Sequence, residues 1–196
     1  MTENAKSTSQ MSAEVNEIPL AVERLLKNGG PAIRSAAQAA RELDAHVIAT
    51  VARGSSDHAA TYLKYAAELT LGLPVASIGP SVASIYGAKL RLGRAVCISV
   101  SPSGQSPDIV EMARSAGVGG ALTVAVTNNA ASRLGGVCQR TIDIQAGPEL
   151  SVAATKTYVT SVVALLALVA EWQEDNGLRA AIAGLPEKLA AAAQID

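Results

Sequence analysis

Two short apolar runs, His46–Ala52 (HVIATVA) and Ala95–Val100 (AVCISV), each end in a turn built from serine and glycine, and each is followed by a segment with helical periodicity. After the first come Arg53-Gly54-Ser55-Ser56 and then Asp57–Leu71, where Tyr62, Leu63, Ala66 and Leu69 recur at helical spacing. After the second come Ser101-Pro102-Ser103-Gly104-Gln105-Ser106 and then a helical stretch from Pro107 to about Ala116. Apolar runs this short, bounded by turn residues and lacking polar alternation, suit strands covered on both faces. Pro74–Ile78, Ala121–Thr127 and Thr141–Ile144 add three more, so the pattern predicts five strands alternating with helices. That alternation implies right-handed βαβ crossovers and an α/β fold with a doubly wound, five-stranded, mostly parallel sheet flanked by helices. Ligands of such sheets sit beyond the carboxyl ends of the strands, where strand order reverses. Both serine-rich turns leave strands at that edge.

The rest of the chain fits one domain of ordinary size. There is no phenylalanine among the 196 residues and aromatics make up 3%, so the core must be packed from Val, Ile, Leu and Ala. A formal charge of -1, with acids and bases mixed along the chain, excludes the electrostatic footprint of a nucleic-acid binder or of a polybasic membrane anchor. Cys97 and Cys138 have no second cysteine at metal-ligand spacing, and read as free thiols of a reducing, cytoplasmic compartment. Residues 1–10 are polar, without the apolar centre of a secretory signal, and are expected to be a disordered lead-in. Leu20–Leu26 and Pro31–Leu43 predict two helices before the sheet, Val152–Gln173 a long one after it, and Asp175-Asn176-Gly177 a turn into a last alanine-rich helical piece. Within the long helix, Tyr158–Ala170 is the most apolar stretch and too short to span a bilayer.

The two turns suggest an anion site. A glycine-containing turn that enters a helix offers backbone N–H groups and the positive end of the helix dipole. Ser55 and Ser56 add hydroxyls at the first turn, and Ser101, Ser103 and Ser106 add three around Gly104 at the second. Together with the Gly54 and Gly104 backbone they could hold a phosphate without lysine or arginine. The alternative for either turn alone is simple capping, since serine is a favoured N-cap. No nucleotide signature is present, neither G-x-G-x-x-G after a strand nor a P-loop. A third segment, Gly147-Pro148-Glu149 and then Ser151 to Lys156, follows the fifth strand. Glu149 there could move a proton between adjacent carbons of a bound ligand, or could merely complement the start of the long helix. Lys156 reads as a solvated helix residue or a partner of Glu149. His58 reads as a surface residue of a first helical turn rather than an acid/base, and His46 as a surface residue at a strand start. No metal-ligand spacing and no cofactor motif is present.

Four ordered segments resemble the sugar isomerase, or SIS, domain. Met11–Pro19 is similar to that family's opening M-x-x-E-I-x-E-Q-P, Arg53–Ser56 to its C-G-T-S, Ser101–Ser106 to its S-Q-S-G-E-T, and Glu149–Lys156 to its E-I-x-V-A-S-T-K. The closer resemblance is to the first of two SIS domains in the isomerase half of glucosamine-6-phosphate synthases and in two-domain amino-sugar-phosphate isomerases and deaminases. It implies phosphosugar contacts at Ser55, Ser56, Ser101, Ser103 and Ser106, a sugar-neighbouring main chain at Val152 with Lys156 close by, and homodimerisation. It also implies metal-free isomerisation or deamination of a hexose or hexosamine 6-phosphate of the fructose 6-phosphate or glucosamine 6-phosphate type. Residues 11–45 would then be N-terminal helices, 46–172 the phosphosugar-binding domain and 173–196 a helical linker toward a second SIS domain. The second domain, which carries the main catalytic residues of the family, and a glutaminase domain have no counterpart in these 196 residues. The chain is therefore expected to be a fragment of a longer isomerase or deaminase; a self-sufficient isomerase using Glu149 as base and a non-catalytic sugar-phosphate sensor are the alternatives. Pro102 stands where the family has glutamine, and Gln105 where it has glutamate.

Overall fold

The structure, a computed structural model, describes residues 9–193. Three helices come first: α1 (Gln10–Asn16), α2 (Ile18–Asn28) and α3 (Gly30–Leu43). They are followed by β1 (Val47–Val51), α4 (Ser55–Thr70), β2 (Val75–Ser77), the short α5 (Ser81–Ser84), β3 (Ala95–Val100) and α6 (Pro107–Val118). β4 (Leu122–Thr127), α7 (Arg133–Val137), β5 (Arg140–Asp143), α8 (Lys156–Gln173), α9 (Asn176–Ala183) and α10 (Leu185–Ala192) complete the described chain. The five strands form one sheet in the order β2-β1-β3-β4-β5, and every pairing is parallel. The expected α/β architecture is what forms.

The two faces of the sheet differ in bulk because side chains alternate along each strand. Ile48, Val96, Ile98, Val100, Val124 and Val126 join the core shared with α2, α3, α4 and α8. Ala49, Ala95, Cys97 and Ala125, which alternate with them, face α6 with its Met112, Ala113 and Ala116. Small residues on that second face let a helix approach closely, and so a core without phenylalanine still closes. Burial pushes the Cys97 thiol up to about 12 and the Cys138 thiol to about 11, so both remain protonated at neutral pH. α8 is apolar on nearly all sides, with Leu165, Leu168 and Val169 buried in the core, and Thr160 and Ser161 return their hydroxyls to the helix carbonyls of Lys156 and Thr157 at 2.7 Å each. No helix among the described residues is long and apolar enough to cross a membrane.

Three expectations need adjusting. Three helices, rather than two, precede the sheet, since the Met11–Pro19 segment itself begins as α1. The lead-in expected over residues 1–10 lies mostly outside the described residues, but Gln10 is helical and Ser9 caps α1 by accepting from the amide of Ser12 at 3.2 Å. The long helix starts at Lys156 and not Val152, because the amides of Leu150 and Ser151 are drawn to the Glu14 carboxylate, leaving 151–155 non-helical. Beyond α8 the chain packs back on the body: Ile182 of α9 is buried, and Leu185 and Leu189 of α10 rest on the core.

Candidate functional site

From β1 the chain crosses to β2 on one side of the sheet, and from β3 to β4 on the other. The loops after β1 and β3 therefore diverge, opening a crevice at the carboxyl edge where strand order reverses, the usual ligand position of such sheets. These are the two serine-rich loops. In the first, Gly54 has φ 58° and ψ -136°, a conformation closed to L-residues without strain, and α4 begins at the next residue. Ser55 is exposed and Ser56 buried within the first turn of α4. In the second, Ser106 is the N-cap of α6, Ser101 is buried just after β3, and Ser103 is exposed at the tip.

The capping alternative can be checked directly. Ser132 caps α7 by accepting from the amide of Gly135 at 3.3 Å, and Asp175 caps α9 by accepting from that of Leu178 at 2.9 Å. Among the described residues α4, whose cap position is Gly54, and α6, whose cap position is Ser106, have no such bond, as is also true of α2, α3, α5, α8 and α10. Among the described residues the Ser55, Ser56 and Ser106 hydroxyls are thus not spent on capping, while in the first turn of α4 the Asp57 amide donates to the Gly54 carbonyl at 3.0 Å. Ser103 accepts from the amide of Gln105 at 3.3 Å, which shapes the loop tip.

Gly104 has a different role from the one expected. Its N–H donates to the Ser101 carbonyl at 2.9 Å and its own carbonyl accepts from Leu134 at 3.0 Å, so its backbone folds the loop instead of offering a donor to an anion. At φ 60° it also lies against the next loop, where an added Cβ would come within 2.1 Å of the Ser132 hydroxyl. Pro102, which removes one amide from the loop, presents its carbonyl to the Thr127 hydroxyl at 3.1 Å and the Asn128 amide at 2.9 Å. The end of β4 thereby braces the second serine loop. A salt bridge of 2.9 Å between Arg53 and Asp108 joins the first loop to the first turn of α6.

The third loop leaves β5 at the same edge and is held from three sides. Asn128 donates to the Gly147 carbonyl at 2.8 Å and accepts from Ala146 at 2.9 Å, and Arg24 of α2 donates to the carbonyls of Gln145 and Ala146 at 3.2 and 3.0 Å. Glu149 then turns its carboxylate onto the start of α8. One oxygen accepts from the amides of Thr155 and Thr157 at 3.0 Å each and from the Thr155 hydroxyl at 3.1 Å, while the other accepts from the Thr157 hydroxyl. Lys156 is neither solvated nor a partner of Glu149: its side chain is 2% exposed and its ammonium pairs with Glu17. Val152 stands fully exposed at the loop tip near the exposed Leu150. His46 and His58 are both on the surface.

Two residues essential to this arrangement were not singled out from the sequence. Glu14 is buried and accepts from the amides of Leu150 and Ser151 and from the Ser151 hydroxyl. The Ser151 hydroxyl and the Leu150 amide hold its carboxyl below the usual carboxylate range. With Glu17 three residues on, it forms a pair one helical turn apart that grips the third loop and the start of α8. The spacing of the two acids in Met11–Pro19 was the available signal, since residues at i and i+3 around a helix face the same way. The mostly apolar cavity of about 180 Å³ among α2, α3, α8 and α9 includes no residue of the three loops.

Known proteins share the sequence pattern and the fold. A phosphosugar isomerase candidate from Silicibacter pomeroyi DSS-3 is 64% identical and superposes with a TM-score of 0.94 over 96% of this chain and 57% of that one. The C-terminal domain of glucosamine-fructose-6-phosphate aminotransferase from Francisella tularensis, at 21% identity, shares the fold with a TM-score of 0.76 over 98% of this chain and 56% of that one. The isomerizing glutamine–fructose-6-phosphate aminotransferase of Thermus thermophilus is 34% identical over 170 residues, which are 83% of this chain and 27% of that enzyme. That of Halobacterium salinarum is 40% identical over 116 residues, 57% of this chain and 18% of the enzyme. The chain thus corresponds to about a quarter or less of these curated relatives. The profile of the SIS domain matches residues 43–171, from the end of α3 to the last turn of α8, and the chain belongs to the SIS domain family.

Proposed function

We propose that this chain is the phosphosugar-binding domain of a sugar-phosphate isomerase or deaminase acting on a hexose or hexosamine 6-phosphate, of the fructose 6-phosphate or glucosamine 6-phosphate type. The phosphate lies in the β1/β3 crevice, contacted by Ser55, Ser56, Ser101, Ser103 and Ser106 and by the first-turn amides of α4 and α6, while Val152 borders the sugar. The observation that carries this reading is the pair of serine-bearing helix starts without side-chain caps on either side of the strand-order reversal. Uncapped N–H groups beside hydroxyls are what an oxyanion with several acceptor oxygens needs.

The chemistry proceeds without metal or cofactor, through an enediol or enolamine formed by proton transfer between adjacent carbons. Glu149, with both carboxylate oxygens occupied by donors of Thr155 and Thr157, serves in this proposal to position the third loop under the sugar and not as the base. Lys156 acts in the same way through Glu17. The domain works in the cytoplasm as part of a homodimer, an association favoured by the exposed apolar stripe of Tyr62, Tyr65 and Leu69 on α4.

Titration calorimetry tests the core of the proposal. Fructose 6-phosphate or glucosamine 6-phosphate should bind, fructose and glucosamine should not, and nucleotides should not compete. Ser101→Ala and Ser103→Ala should each weaken binding by roughly tenfold, the loss expected for a hydrogen bond to a charged group. Equal binding of the unphosphorylated sugars would reject the phosphate site.

A further inference from the structure

The two serine loops also carry a cation whose position no hydroxyl or amide explains. Arg53 immediately precedes Gly54, and its guanidinium reaches across to the Asp108 carboxylate at 2.9 Å, in the first turn of α6. It therefore extends from one wall of the crevice to the start of the other. The Arg53 side chain is 64% exposed and that of Asp108 22% exposed. A pair this open to water is weakly held and exchanges readily.

The charges nearby give the pair its meaning. Asp57 sits in the first turn of α4 and Asp108 in the first turn of α6, so both helix starts that would face a phosphate also carry a carboxylate. A phosphate dianion entering between them meets like charge on both sides unless a cation offsets it. The planar guanidinium of arginine matches two phosphate oxygens at once, which a lysine ammonium does not. In the family motif that Arg53–Ser56 resembles, the first position is cysteine, so the long cation departs from that motif.

We infer that Arg53 is a movable phosphate ligand: it exchanges its ion pair with Asp108 for the phosphate oxygens when a sugar phosphate binds. The inference rests on the crevice being the phosphate site proposed above. Asp108 then competes with the ligand for the guanidinium, and its removal has the opposite effect to removal of the arginine.

Calorimetry of the full chain with fructose 6-phosphate and, separately, with inorganic phosphate decides the matter. Arg53→Ala should weaken both by roughly tenfold or more, Arg53→Lys should recover part of that loss, and Asp108→Asn should tighten both by about two- to fivefold. In the double variant the gain from Asp108→Asn should shrink to the part that relief of like charge supplies. If Asp108→Asn weakens binding as much as Arg53→Ala does, the pair is a clip between the loops and the inference is overturned. Unchanged affinity in Arg53→Ala, with fructose 6-phosphate still bound and its binding still weakened in Ser101→Ala, overturns it as well but leaves the phosphosugar reading standing. Arg53-dependent binding of inorganic phosphate without any binding of fructose 6-phosphate supports the ligand role and rejects the sugar. Failure of both ligands to bind the wild-type chain overturns both proposals.

Discussion

Gly54 and Gly104 have nearly the same φ, 58° and 60°, yet they are glycines for different reasons. Around Gly54 nothing lies within 4 Å of an added Cβ, so only its backbone angles oppose a side chain. At Gly104 the angles and the space both oppose one, with the Ser132 hydroxyl and Thr127 close by. Gly54→Ala should therefore destabilise the domain by about 1–3 kcal/mol through strain alone, and Gly104→Ala should cost more, because the second loop must also move away from Ser132. Urea unfolding of the two variants measures this; an equal loss in both would show that the contact with Ser132 is easily relieved. Both glycines were legible in the sequence as members of tight turns. That the Gly104 amide is already taken was not, because its acceptor, the Ser101 carbonyl, becomes available only once the loop has closed on itself.

At the scale of elements, strands were legible and helix starts less so. Branched residues alternating with small ones in β3 produce two faces of different bulk, and a period of two is a local property that the sequence displays. α8 shows the limit. Its apolar pattern continues back to Val152, but the helix begins at Lys156 because Glu149 supplies the cap from outside the helix and Glu14 takes the amides just before it. Glu149→Ala should cost about 1–2 kcal/mol, the loss of a good cap together with its charge at a helix start, whereas Glu149→Gln should retain most of that stability, since an amide oxygen still accepts from Thr155 and Thr157. Chemical denaturation separates the two variants, and Gln as damaging as Ala would show that the charge, not the acceptor, governs the start of α8.

For the whole molecule, α1 ties the first described residues to the third loop across 136 residues of sequence through Glu14, and Glu17 reaches the start of α8 across 139 through Lys156. The Glu14 carboxyl is held below its usual range, so its contribution to stability is present above the ordinary carboxylate value and is lost as pH falls through its lowered one. The melting temperature of the wild type should accordingly exceed that of Glu14→Gln at neutral pH, with the difference shrinking as the pH is taken below about 4.5. A difference independent of pH would mean that packing of α1, and not the charge of Glu14, makes the tie.

What the sequence by itself determined was the alternation of strands and helices, the two serine loops at strand ends and the family they resemble. Each rests on local periodicity or on turn chemistry a few residues long. Tertiary structure alone decided that α4 and α6 begin without side-chain caps, that Lys156 is buried on Glu17, and that Arg53 reaches Asp108 across the crevice. Those outcomes depend on which strands lie side by side in the order β2-β1-β3-β4-β5, and strand order is set by the packing of the complete sheet between its helices, which no short segment encodes.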